Sequence, residues 1–120
     1  MRILLVEPDA DLRMRQAIEL SAAGYHVRGA ATFEAARQEL MADAPDLIIT
    51  AVRLAAFNGL QLVIRARAHE PPLPAVLTAV SPDPALEAEA HAHGAAVLVD
   101  PADIPALVAL VGELLGGKGG

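Results

Sequence analysis

"PDLIITAVRLAAFNG", residues 45–59, decides how this chain is read. Leu47 to Ala51 form an apolar run without polar alternation, which suits a strand covered on both faces of a sheet. Asn58-Gly59 then makes a turn into a helix. Strand-to-helix junctions of this kind are where α/β proteins place ligand-binding and catalytic groups. This junction offers Thr50, Ala51 and Val52, so its central position carries a methyl group where a nucleophile or metal ligand would be expected.

Outward from this stretch, short apolar runs alternate with helix-length segments. The other runs are residues 3–6, 25–30, 75–79 and 96–99, and the helical segments are about 11–23, 33–43, 59–69, 84–93 and 104–115. Strict βα alternation predicts an α/β, (βα)₅ doubly wound parallel sheet. Punctuation marks the helix ends. Asp11 is placed to cap the first helix and Gly24 to end it in a left-handed conformation, while Thr32 precedes the second and Pro45 follows it. Pro71-Pro72 closes the third, Asp83-Pro84 opens the fourth and Gly94 ends it, and Asp103 with Pro105 opens the fifth. Residues 1–115 read as one domain, and "GGKGG", 116–120, as a flexible tail or the start of a linker.

Composition narrows the chemistry. Hydrophobic residues make up 54% of the 120, but aromatics only 2%, so the core is built from Leu, Ile, Val and Ala. With no cysteine there is neither a disulfide framework nor a thiolate metal site. A net charge of −6 without a Lys/Arg cluster argues against nucleic-acid binding by this domain. No apolar stretch approaches the roughly 20 residues that span a bilayer, and no signal peptide is visible at the start, so a cytoplasmic location is expected. His26, His69, His91 and His93 are not spaced as ligand pairs, no Gly-rich loop follows the first strand, and no Ser/His/Asp or Cys/His set falls at the strand ends. No metal, cofactor or enzymatic activity is expected.

Four separated motifs, "ILLVEPDADLR", "PDLIITAVRLAAFNGLQL", "AVLTA" and "VLVDP", together resemble the CheY-like receiver domain of bacterial response regulators across essentially the whole chain. The resemblance implies a flavodoxin-like fold with strand order 2-1-3-4-5. It also implies a phosphoryl-accepting aspartate at the end of strand three, an acidic pair after strand one that holds Mg²⁺, and a Thr or Ser after strand four. A Lys before a proline, usually joined by a cis peptide bond, would follow strand five. A carboxylate can accept phosphate covalently, Mg²⁺ prefers hard oxygens, and an ammonium offsets developing negative charge.

This chain departs from that pattern at most positions. The acceptor position is Ala51, the acidic pair is Glu7-Pro8 with Asp9 one residue further on, and the Lys-Pro position is Asp100-Pro101. Thr78 alone matches the phosphate-contacting set, and its hydroxyl also suits a purely structural role at a strand end. If Asp100 faced the pocket, like charges about 4 Å apart would repel by about 1 kcal/mol in water and about 4 kcal/mol at an effective dielectric near 20. Arg53 is expected either to pair with Glu7, Asp9 or Asp100 in place of a metal, or to be a solvated loop arginine. The resemblance therefore implies a degenerate receiver that cannot take phosphate at the usual aspartate.

The last helix suggests where such a domain would act. Ile104, Leu107, Val108, Val111, Leu114 and Leu115 follow core-face spacing. The opposite side carries Ala106, Ala109, Leu110 and Glu113, the last being the single charge from Ile104 to Leu115. Receivers commonly dimerise or dock partners through helix four, strand five and helix five, and Val97 falls at the strand-five position of that surface. The expectation is a phosphorylation-independent signalling domain acting through a protein partner or a homodimer, with an output domain able to follow Gly120. Two alternatives stay open: a small-ligand sensor using the altered pocket around Glu7, Asp9 and Asp100, and a receiver phosphorylated at Thr50, Thr78 or a displaced acid.

Overall fold

The computed structural model describes residues 1–115; residues 116–120, and with them the tail or linker expected there, lie outside the described residues. Five parallel strands are β1 (Arg2–Val6), β2 (His26–Ala30), β3 (Leu47–Ala51), β4 (Ala75–Ala79) and β5 (Ala95–Val99). They are ordered β2-β1-β3-β4-β5 and alternate with α1 (Ala10–Ala22), α2 (Phe33–Ala42), α3 (Leu60–Arg67), α4 (Pro84–Ala92) and α5 (Ile104–Leu115). This is the doubly wound (βα)₅ sheet that the alternation predicts.

The register explains why the apolar runs carry no polar positions. Ile3 sits beside Leu47 and Leu5 beside Ile49, which in turn pairs with Val76. These side chains pack on one face with Leu20 of α1 and Leu107 and Val111 of α5. Leu4, Ile48 and Leu77 belong to the other face, with Phe33, Ala36 and Leu40 of α2, Leu62, Val63 and Ala66 of α3, and Ala90 of α4. Both faces of the three inner strands are buried, so alternation has nothing polar to alternate with. Leu5, Leu47, Leu62 and Leu107 are fully enclosed, and truncating such a leucine to alanine costs about 2–5 kcal/mol.

Helix boundaries follow local chemistry. Thr32 and Asp83 cap α2 and α4 by accepting from Ala35 N and Leu86 N, and Gly24 and Gly94 end α1 and α4 at φ 103° and 81°. Asp103 accepts from Ala106 N at 3.2 Å at the start of α5. The expected cap at Asp11 is corrected: α1 begins one residue earlier, and Asp9, in extended backbone, accepts from Leu12 N at 3.1 Å. Asp11 lies instead within the first turn, where its charge meets the positive end of the helix dipole.

Candidate functional site

All five strands end on the same side, and a cleft of about 590 Å³ opens there between the loops after β1, β3 and β4. Glu7, Pro8, Asp9, Ala51, Arg53, Thr78 and Pro101 line it, so seven of the residues singled out from the sequence converge. Ala51 is the last residue of β3 and half-buried, and Thr78 lies beside it in the register of β4. A methyl group therefore stands where the three loops meet.

The loop after β3 is built tightly. Arg53–Leu54 and Phe57–Asn58 form a small antiparallel ladder, turned at Ala55 with φ 57°. Leu54 points into the core at 2% exposure, so its neighbour Arg53 points outward. Gly59 N donates to Val52 O at 2.7 Å, and Asn58 Oδ1 accepts from Leu60 N at 2.8 Å, turning the chain into α3. The ring of Phe57 stacks on Phe33 at 4.5 Å between centroids, with the Arg65 guanidinium 5.9 Å from the Phe33 centroid. Both phenylalanines of the chain thus tie this loop to the start of α2.

Glu7 is the buried acid of the cleft, 7% exposed. Its Oε2 accepts from Asp9 N at 3.0 Å. Burial pushes its carboxyl above the ordinary 4.5; the Asp9 N–H opposes that rise, the Asp9 charge adds to it, and nearby Arg13 opposes it. Arg13, which the sequence reading passed over, donates from Nη1 to the Glu7 carbonyl oxygen at 2.6 Å. Its side chain lies across Gly29 of β2, where a Cβ would come within 3.2 Å of Arg13 Cδ. A glycine on the neighbouring strand facing an α1 arginine was the available signal.

Two expectations are corrected here, those for Asp100 and for the cis peptide bond, and of the two readings open for Arg53 the solvated one holds. Arg53 is exposed at the cleft mouth and takes part in none of the ion pairs among the described residues, which are Arg2–Asp43, Arg28–Glu39 and Arg37–Glu34. Ladder alternation decides this, because burying Leu54 turns Arg53 to solvent. Asp100 does not line the cleft. Its φ of 76° starts a turn in which Oδ1 accepts from Ala102 N at 3.0 Å and its carbonyl accepts from Asp103 N, so the repulsion anticipated at a phosphate site does not apply. The cis peptide bond lies at Glu70–Pro71 and not at Asp100–Pro101, where the left-handed aspartate turns the chain itself.

Pro101 is buried, and its carbonyl accepts from Gln16 Nε2 of α1 at 3.0 Å, a tether linking α1 to the loop after β5. Thr50 is fully buried and donates from Oγ1 to the Ala51 carbonyl at 2.9 Å, while Thr78 is 3% exposed. That bond takes up the Thr50 hydroxyl, whereas Thr78 lines the cleft. The metal implied by the family pattern does not fit: Pro8 and Ala51 supply no oxygen ligand from their side chains, and one of the two Asp9 carboxylate oxygens is taken by the helix cap. No group of three His, Cys, Asp or Glu able to hold a metal ion occurs among the described residues.

On the suggested docking face, Ala109 and Glu113 are exposed and Val97 and Ala106 half-buried. Leu110 is half-buried against the core and is not a free apolar knob, because α5 rotates it toward the sheet. No helix among the described residues is long and apolar enough to cross a membrane.

Residues 3–111 match the family model described as the response regulator receiver domain, and the chain belongs to that family. Its structure is similar to that of a candidate response regulator of Chloroflexus aurantiacus J-10-fl, with 30% identity, 95% of this chain and 96% of that chain covered, and a TM-score of 0.85. It is also similar to a CheY-like receiver domain protein of Methanospirillum hungatei JF-1, at 22% identity, coverage of 99% and 98%, and a TM-score of 0.89. The chemotaxis response regulator CheY4 of Vibrio cholerae is a third, at 25% identity, coverage of 95% and 98%, and a TM-score of 0.85. Among curated proteins, none matches the chain.

Proposed function

We propose that this chain is a receiver module that signals by protein–protein contact, without a phosphoryl group at the position its family uses. One observation carries the reading: the residue at the end of β3, lining the cleft, is Ala51. Aspartyl phosphate needs a carboxylate oxygen as nucleophile, and a methyl group has no lone pair to offer. Losing that atom removes the covalent step altogether.

The usual charge-driven switch is then unavailable, and the domain is either held in one conformation or shifted by a partner that binds one state better. The Phe33–Phe57 stack and the Gln16–Pro101 tether support a held conformation, since they fix the loops after β3 and β5. A partner or a second copy is assigned to the surface of α4, β5 and α5, through Val97, Ala106, Ala109 and Glu113, with Leu110 contributing its exposed edge. Sedimentation across a concentration series, with Ala109→Glu as the disrupting change, tests self-association at that face.

The test of the main reading is an amide spectrum recorded with and without beryllium fluoride and Mg²⁺, a phosphoryl mimic that needs an acceptor carboxylate. Superimposable spectra are expected. Saturable shifts at Ala51, Thr78 and Val80 would overturn the reading.

A further inference from the structure

Resting on that reading, we infer that the cleft receives a basic side chain, arginine or lysine, presented by the partner protein beside an apolar residue. Glu7 is more than nine-tenths buried, lines the cleft, and has no cationic side chain on its carboxylate among the described residues. Arg13 is close by, but its bond goes to the Glu7 backbone carbonyl. The two other carboxylates of the lining, Asp9 and Asp83, already accept from the first turns of α1 and α4. Glu7 Oε2 also accepts one backbone N–H, from Asp9, but Glu7 is the buried carboxylate of this lining, whereas Asp9 and Asp83 are exposed.

The surroundings of Glu7 select the kind of cation. Ala51 and Ala79 line the cleft with methyl groups, and a metal finds no third carboxylate or imidazole suitably placed. A guanidinium or ammonium on an aliphatic stem matches a cleft with an acid inside and hydrocarbon along its walls. At the mouth, Val80 is 82% exposed and Phe57 48% exposed, so a guest extending beyond its own side chain gains apolar contact there. A free polyamine would leave that rim uncovered, and a protein segment covers it. Arg53, also at the mouth, disfavours a second positive charge next to the guest.

Amide-spectrum titrations of the full chain with N-acetyl-Leu-Arg-Leu-amide, N-acetyl-arginine-amide, putrescine and Mg²⁺ test this. The tripeptide should shift Glu7, Ala51 and Val80 together and bind at least about tenfold more tightly than the single residue or putrescine. Glu7→Gln should weaken the tripeptide by about tenfold or more while leaving the spectrum folded, and Val80→Ser should weaken the tripeptide but not the single arginine. Shifts absent at millimolar peptide, binding unchanged by Glu7→Gln, or putrescine equal to the tripeptide would each overturn the inference. Equal shifts with Mg²⁺ would do the same, by making the cleft a metal site. Each of these outcomes is separate from phosphoryl acceptance, which the beryllium fluoride comparison reads.

Discussion

Gly59 lies against the carbonyl of Ala51 so closely that a Cβ on it would come within 1.9 Å of that oxygen and 2.8 Å of Thr50 Oγ1. The end of β3 and the start of α3 are therefore in backbone contact across the loop between them. Gly59→Ala has to move backbone and not a flexible side chain, so a loss of about 3 kcal/mol is expected in chemical denaturation. A loss under about 0.5 kcal/mol, the size of an ordinary surface change, would mean the loop is not packed this way.

The N-terminal end of α1 separates two aspartates by role. Asp9→Ala should cost about 1 kcal/mol, because Leu12 N loses its acceptor. Asp11→Ala, removing only a dipole interaction, should cost about 0.3–1 kcal/mol. Thermal denaturation of the pair would show the larger loss at Asp9.

These two positions mark what could be read from the sequence. Unbroken runs such as "LIITA" and "AVLTA" declared buried parallel strands, and Gly24, Thr32, Asp83 and Gly94 declared helix ends correctly, because each signal is local. The convergence of Glu7, Ala51 and Thr78 followed from topology, which places all strand ends on one side. Side-chain direction was not legible. Arg53 and Asp100 carry charges next to the cleft in sequence, yet ladder alternation turns one to solvent and a left-handed backbone ties the other to its own turn. Arg13 left only a faint signal, Gly29 on the neighbouring strand, because its hydrogen-bond partner is the Glu7 backbone carbonyl and not a side chain.

Glu7 gives the fold a pH dependence of definite sign. Its folded pKa is raised by burial, so the folded state binds its proton more tightly than the unfolded chain does. The stability it contributes is greatest below the ordinary 4.5, falls as pH rises from there to the raised value, and is flat beyond. Glu34 and Asp43 act oppositely: bonded to Arg37 and Arg2, their lowered pKa values add stability above the ordinary carboxylate range that is lost at lower pH. Both of those acids are exposed, so salt should weaken their effect. Glu7→Gln should raise the melting temperature near neutral pH and flatten the decline above 4.5, leaving the acid limb in place. A neutral-pH melting temperature lowered by this change would contradict the burial of an unpaired acid.

The two phenylalanines act as a pair. Phe57→Ala and Phe33→Ala should each destabilise, and the double change should cost less than their sum by about 0.5–1.5 kcal/mol, the worth of a stacked aromatic pair. Strict additivity would show that the stack contributes nothing to holding the loop after β3.

Residue 51 decides whether this domain can carry phosphate at the end of β3. Incubation of the purified chain with a small-molecule phosphodonor and Mg²⁺, followed by intact mass measurement, asks directly whether any side chain takes up phosphate. The unmodified mass is predicted throughout, with Ala51 offering no acceptor and Thr50 enclosed. Accumulation of a species heavier by one phosphoryl group would contradict it.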